Sequence, residues 1–266
     1  KANLSLEAGD LTPYTITAPS DSRLPGGGGY QVGTLYDVVP AKSGQVDNLQ
    51  TLAEKYGKWY SYFNGVDVTL SLRTSDFTVQ GGTSTGQNVA DNCEVRDNLP
   101  ELNAGIGAGL VGSTVSTTSP YCHVAYGWLT QFRGLGSYTI PKIDTQVSAV
   151  FHSKPGALLA ANYAMPSAQV ATFLGRAPSG NVPNVTINLI EPGSLYGDRV
   201  NQLDFRFAKK FQFGGSRAMI ALDLYNSLNA NPVLTYNNSF TPGGPWLQAN
   251  SILTGRLARI SAEWTF

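Results

Sequence analysis

The chain has 266 residues, 42% of them hydrophobic and 14% charged, with 18 basic residues balanced by 18 acidic ones. A net charge of zero gives no electrostatic footprint for nucleic acid, and so low a share of charge is unusual for a soluble globular protein. Glycine, tyrosine and phenylalanine (29, 13 and 11 residues) against two methionines favour strands and turns over helices, and nothing approaches the roughly 20 apolar residues of a membrane helix.

The chain opens on Lys1 without a charged-then-apolar leader, so it is expected to be a mature form or a piece of something longer. Ala2, Leu4 and Leu6 alternate with Asn3, Ser5 and Glu7, which predicts a first strand. A long connection follows over 9–58. Its glycine run, Gly26 to Gly29, would cradle a phosphate only if a helix followed, and Tyr30 to Val39 is rich in β-formers instead. Ser43 is expected to cap a helix in which Val46, Leu49, Leu52 and Tyr56 recur at helical spacing before Gly57.

The clearest strand is Val66, Val68, Leu70 and Leu72 alternating with Asp67, Thr69, Ser71 and Arg73; Phe77 and Val79 resume after a break at 74–76. The connection 88–124 holds both cysteines, Cys93 and Cys122. They form either a disulfide, as an even count in an oxidising compartment implies, or two free thiols. His123 adjoins Cys122, but zinc needs three or four ligands and no cluster supplies them; no cofactor is expected.

Trp128, Phe132, Tyr138 and Ile140 share one parity, and Ile143 to Phe151 continues it across Pro141 and Lys142. In the connection 154–198, Pro166 to Leu174 before Gly175 has the proline-first, glycine-last pattern of a short helix. Leu203 to Phe213 and Ala218 to Leu224 are strands joined at 214–216, and the connection 227–250 leads to the last. There Ile260, Ala262, Trp264 and Phe266 fall on one face and Leu257, Arg259, Ser261, Glu263 and Thr265 on the other. Alternation alone fits both an outer-membrane strand and the last strand of a soluble sandwich.

Breaks of two or three residues alternate with the long connections, and an outer-membrane barrel has this asymmetry of short periplasmic turns and long external loops. We therefore expect an all-β fold, a single antiparallel transmembrane β-barrel domain over 1–266 with about eight strands. Its inward face would carry Asp67, Arg73, Arg133, Asp144, Asp204, Arg206, Lys210, Asp223, Arg259 and Glu263.

Leu203–Asp204–Phe205–Arg206 through Phe213, the turn Gly214–Gly215, the D-x-Y-N-x-L-N element from Asp223 to Asn229, and Ile260 to Phe266 resemble the last strands of TonB-dependent outer-membrane receptors. Leu24–Pro25, Tyr56–Gly57, Asn64–Gly65–Val66–Asp67, Ser84–Thr85–Gly86–Gln87, Asp91–Asn92–Cys93 and Asn188–Leu189–Ile190–Glu191–Pro192 resemble the acidobacterial members with a carboxypeptidase-regulatory-like N-terminal domain. The resemblance implies a segment of a 22-stranded barrel in the bacterial outer membrane that takes up a nutrient. Its expected partners are outer-membrane lipid, the barrel-assembly machinery, the energy-coupling inner-membrane complex acting through a plug this chain lacks, and a small-molecule or glycan ligand. Ile260, Trp264 and Phe266 would be the assembly signal. Trp59, Tyr60, Tyr62, Phe63 and Trp246 either stack on such a ligand or form an interfacial aromatic girdle. The other reading is a stand-alone small barrel or a soluble β-rich interaction module. An enzyme is not expected: neither His123 nor His152 has a catalytic partner at a recognisable spacing, and no G-x-S-x-G elbow occurs.

Overall fold

The structure, a computed structural model, describes residues 2–103 and 119–266. Its largest element is an antiparallel meander of seven long strands: β1 (Tyr60–Arg73), β2 (Phe77–Asp91), β3 (Leu129–Ile140), β4 (Thr145–Lys154), β5 (Val200–Phe213), β6 (Ser216–Tyr225) and β7 (Leu257–Thr265). Each pairs with its neighbours in sequence, and a short strand, His123–Ala125, pairs with Val89–Asp91, the last residues of β2. Three tight turns close one end of the sheet, at 74–76, 141–144 and 214–215, the last with Gly214 at φ +57°, a conformation that favours glycine. All long connections emerge at the other end.

Directly opposed residues of an antiparallel pair share a face. The register therefore sorts the side chains of all seven strands. One apolar row runs Phe77, Tyr138, Val147, Phe207, Leu222, Ile260, and another runs Leu72, Val79, Gly136, Ala149, Phe205, Leu224. The two charged strand residues on this face, Asp91 and Lys209, sit near opposite ends of the sheet. The opposite face carries the rest of the strand charges, Arg73, Arg206, Asp223 and Arg259 among them in one cross-strand row.

The hydrophobic core lies outside this sheet. A hairpin of Leu11–Thr17 and Gln31–Val38, a three-stranded sheet ordered Asn184–Asn188, Asn162–Pro166, Ser239–Phe240, and a helix (Ser167–Leu174) pack into a globular cap. Ile16, Leu35, Met165, Val170, Ile187 and Leu189 are fully buried in it. Each such side chain contributes about 1.5–3 kcal/mol by leaving water. Tyr30 and Tyr121 both donate their hydroxyls to the Leu189 carbonyl, at 2.9 and 3.1 Å, which ties two other segments to the cap. Burial raises both phenols and carries that of Tyr14, with help from the Asp37 charge, to about 12.

The all-β expectation holds, and the helix before Gly175 forms, with Pro166 as its cap and Gly175 left-handed. The described residues form an open sheet; no closed barrel is present among them. Four expectations are corrected. The N-terminal alternation yields only a two-residue strand, Ala2–Asn3, paired with Asn48–Leu49 away from the meander. The helix over 43–57 does not form: that stretch holds the other half of this pair and a single 3₁₀ turn, Ala53–Lys55, and Val46 and Leu52 face solvent with no core to hold a helix. Asn88 to Asp91 extend β2, so the connection begins at Asn92. Asp144 is a turn residue at φ +47°, which any carboxylate or amide side chain tolerates better than a branched one, and takes no place on the inward face.

Candidate functional site

The charged face of the meander is organised by the D-x-Y-N-x-L-N element. Asp223, on β6, is 3% exposed and receives Arg206 from β5 at 3.1 Å and Arg259 from β7 at 2.9 Å, so one carboxylate pins three strands. Each guanidinium keeps part of its surface in water, which spares the cluster the full desolvation cost of a buried ion pair. Asn226, at φ +47°, ends the strand: its amide nitrogen donates to the carbonyls of Ala230 and Thr254 (2.8 Å each), its Oδ1 accepts from the Ala230 N–H, and its own N–H reaches Asp204 at 2.7 Å. Asn229 Oδ1 accepts from the Arg256 N–H at 3.0 Å. The two asparagines therefore bring the exit of β6 back to the entry of β7. Sequence alone placed Arg206, Asp223 and Arg259 on one face; only the register makes them neighbours.

Toward β1 the same face becomes a concavity of about 730 Å³. Its floor carries hydrogen-bonding side chains in cross-strand rows, Asp67 beside Ser84 and Gln131, then Thr69, Arg133 and His152 in the row of Gly82, and apolar ones beside them, Leu135 and Val150. Arg133 donates to Gln131 at 3.4 Å.

The five aromatics that either stack on a ligand or form an interfacial girdle take different places in the structure. Tyr60 and Tyr62 stack at 6.0 Å on the apolar face, and the Tyr60 hydroxyl donates to Asp91, whose same oxygen meets His123 Nδ1 at 2.8 Å. Trp59 is exposed just before β1. Phe63 has the other parity, faces the polar side and is 64% exposed. Trp246 is 5% exposed: its indole donates to the Ala160 carbonyl at 2.9 Å and its ring packs edge-on against Phe240, so it belongs to the cap core and offers no free face to a ligand. Ile260, Trp264 and Phe266 are exposed, Ile260 and Trp264 on the apolar side of β7, where Trp264 stacks on Phe213 at 6.0 Å and Phe213 on Phe211 at 6.2 Å.

Cys93 and Cys122 are disulfide-bonded. Beside them, in a short helix (Cys93–Asn98), buried Arg96 donates to the carbonyls of Tyr121 and Ser119; burial lowers its guanidinium to about 10, still charged at neutral pH. Sequence reasoning missed Arg199, which donates to Ser153 Oγ at 2.7 Å and the Thr130 carbonyl at 2.5 Å and lies over the Phe132 ring, joining three wall strands at the loop end. Its only sequence signal is a basic residue one place before a strand. Among the described residues no group of His, Cys, Asp and Glu is arranged to hold a metal ion. No family model matches the chain, and no curated protein or solved structure is detectably similar to it.

Proposed function

We propose that this chain forms barrel wall and external loops of a TonB-dependent outer-membrane receptor, with the apolar face against lipid, the charged face toward the lumen and the cap outside. The observation that carries the reading is the two-faced meander with an aromatic belt at each end of its apolar face. On β3 the belts are marked by Trp128, just before the strand, and Tyr138. At about 3.4 Å per residue they are about 34 Å apart along the strand, which at a barrel tilt of about 40° projects to about 26 Å, matching the apolar band of about 25 Å in outer-membrane barrels. Lys209, near the tight-turn end, aims its ammonium at the Ile143 carbonyl, as a lysine beside a membrane surface does.

Strand direction supports a wall segment over a small closed barrel. In a meander of seven strands the first and last run the same way, so β1 and β7 cannot pair antiparallel with each other. Bacterial outer-membrane barrels are antiparallel with an even number of strands. An odd number of further strands, at least one, must therefore close the ring, and both edge strands are exposed along almost their whole length, as such joining demands.

The test is to express the receptor from its complete reading frame and to fractionate the membranes. The expected result is an outer-membrane protein whose mobility in SDS gels shifts on boiling. A protein that stays soluble without detergent and elutes as a compact monomer overturns the reading in favour of a β-rich interaction module.

A further inference from the structure

We propose that the apolar face of the wall carries a specific site for a phosphorylated, acylated lipid of the outer leaflet, of the lipid A type, with an acyl chain in a groove over β2 and β3 and a phosphate on Arg199; the proposal rests on the reading of this face as lipid-facing. The groove measures about 530 Å³. Its central row runs Leu70, Gly81, Gly134, Phe151, so two glycines lie between two large side chains; Gly136 extends the gap in the next row, and Phe132 bounds it toward the long loops. The Arg133 carbonyl lies 2.9 Å from where a Cβ of Gly81 would sit, so the sheet itself requires that glycine. It does not require the other two. A Cβ at Gly134 or Gly136 would meet no atom within 4 Å, neither residue has a positive φ, and a glycine inside a strand weakens it. The space they leave is room for an apolar chain from outside the protein.

Arg199 sets the class of that molecule. Its guanidinium lies 5.6 Å over the Phe132 ring, at the loop end of the groove, and is held there through Nε and Nη2 by Ser153 Oγ and the Thr130 carbonyl. Among the described residues no carboxylate pairs with it and its Nη1 has no acceptor. A cation fixed on a lipid-facing surface calls for an anion, and a guanidinium with free N–H groups suits a phosphate. From Thr130 to Gly136 is about 20 Å along the strand, so one molecule can set its phosphate on the arginine and its chain in the groove. The long-loop position of Arg199 selects the outer leaflet over the phospholipid of the inner one.

The full receptor, stripped of native lipid by detergent exchange, is titrated with lipid A and with dioleoylphosphatidylglycerol, and the adducts are counted by native mass spectrometry. One lipid A is expected to bind, more tightly than phosphatidylglycerol. Arg199→Gln should weaken it about tenfold or more. Gly134→Val combined with Gly136→Val fills the groove and should weaken it to a similar extent, although valine suits a strand better than glycine. The boiling-dependent gel shift, kept in both variants, shows that they fold. Lipid A binding that is indifferent to Arg199→Gln or to the filled groove, phosphatidylglycerol binding as tightly as lipid A, or no lipid A adduct overturns the proposal. A receptor that reaches the outer membrane and gives one of those results fails this proposal and leaves the receptor reading standing; a protein absent from that membrane fails both.

Discussion

The wall and the cap of this protein use apolar residues in opposite ways. In the cap Ile16, Met165 and Ile187 are fully buried against one another, while on the wall Val68, Leu70, Ile220 and Ile260 are exposed. Both regions are β-rich and both are made of ordinary aliphatic side chains. What differs is what lies opposite: the cap folds several connections over each other, and the wall is a single layer. A single layer with one apolar face is unstable in water on its own, so the comparison predicts that the wall takes its stability from hydrogen-bonded strand pairing and a surrounding apolar phase, whereas the cap behaves like a small soluble domain.

The sharpest way to break this comparison is a pair of truncations. Ile16→Ala should destabilise the folded cap by about 2–5 kcal/mol, the range for emptying a well-packed core site. Val68→Ala trims a side chain that faces detergent and leaves no cavity, so it should cost less, about 1.5 kcal/mol or below, the transfer of the two lost carbons alone. Denaturant titration of the detergent-solubilised protein, followed by tryptophan fluorescence, measures both. Equal effects would mean that Val68 packs against something the single layer does not contain.

A second, smaller effect tests whether the wall has any stabilising contacts of its own beyond its ladders. Asp223→Ala strands two guanidiniums at once, yet both remain partly hydrated. The expected cost is about 1–3 kcal/mol, the value of hydrogen bonds to a charged group without the full penalty of an interior ion. It should appear as a lower temperature for loss of the compact gel band. Asp223→Asn keeps the shape and two acceptor sites' worth of oxygen on one side only, and should fall between the parent and the alanine variant.

This same contrast explains how much was legible in the sequence. Wall strands meet two different environments, so their period-two pattern is strict, and the faces of Val66, Leu72, Arg206 and Ile260 follow from parity alone. Parity also separates Phe63 from Tyr60 and Tyr62, although grouping all three as neighbouring aromatics hid it. The cap left no such trace, because its core joins residues as distant as Ile16 and Phe240 and no local period encodes that. Local pattern even misleads there: Val46, Leu49, Leu52 and Tyr56 have helical spacing without a buried surface to face, and tertiary context decides against the helix. Trp246 lies in the connection 227–250, as its sequence position implies, but only the packing of the cap shows that its ring is enclosed.

The smallest expected effect concerns the salt link that closes the cap around that ring. Asp21 accepts from Arg23 Nε and Nη2 at 2.8 and 2.6 Å and from the Gly243 N–H at 3.3 Å, while the Arg23 guanidinium also donates to the Gly244 carbonyl and lies 5.7 and 5.8 Å from the Phe240 and Trp246 rings. The side-chain hydrogen bond from Arg23 holds the Asp21 carboxyl well below the usual carboxylate range. A carboxyl whose folded value is depressed stabilises the fold fully above its unfolded value, about 3.9 for aspartate, and loses that contribution as pH falls from there toward the folded value. Between pH 7 and 5 the link should therefore leave stability unchanged, and below about pH 4 the parent should lose stability more steeply than Asp21→Asn, which has no proton to take up. Unfolding midpoints of the two proteins measured across pH 7 to 3 make the comparison, and an equal acid loss in parent and variant would show that Arg23 is held by its carbonyl and aromatic contacts alone.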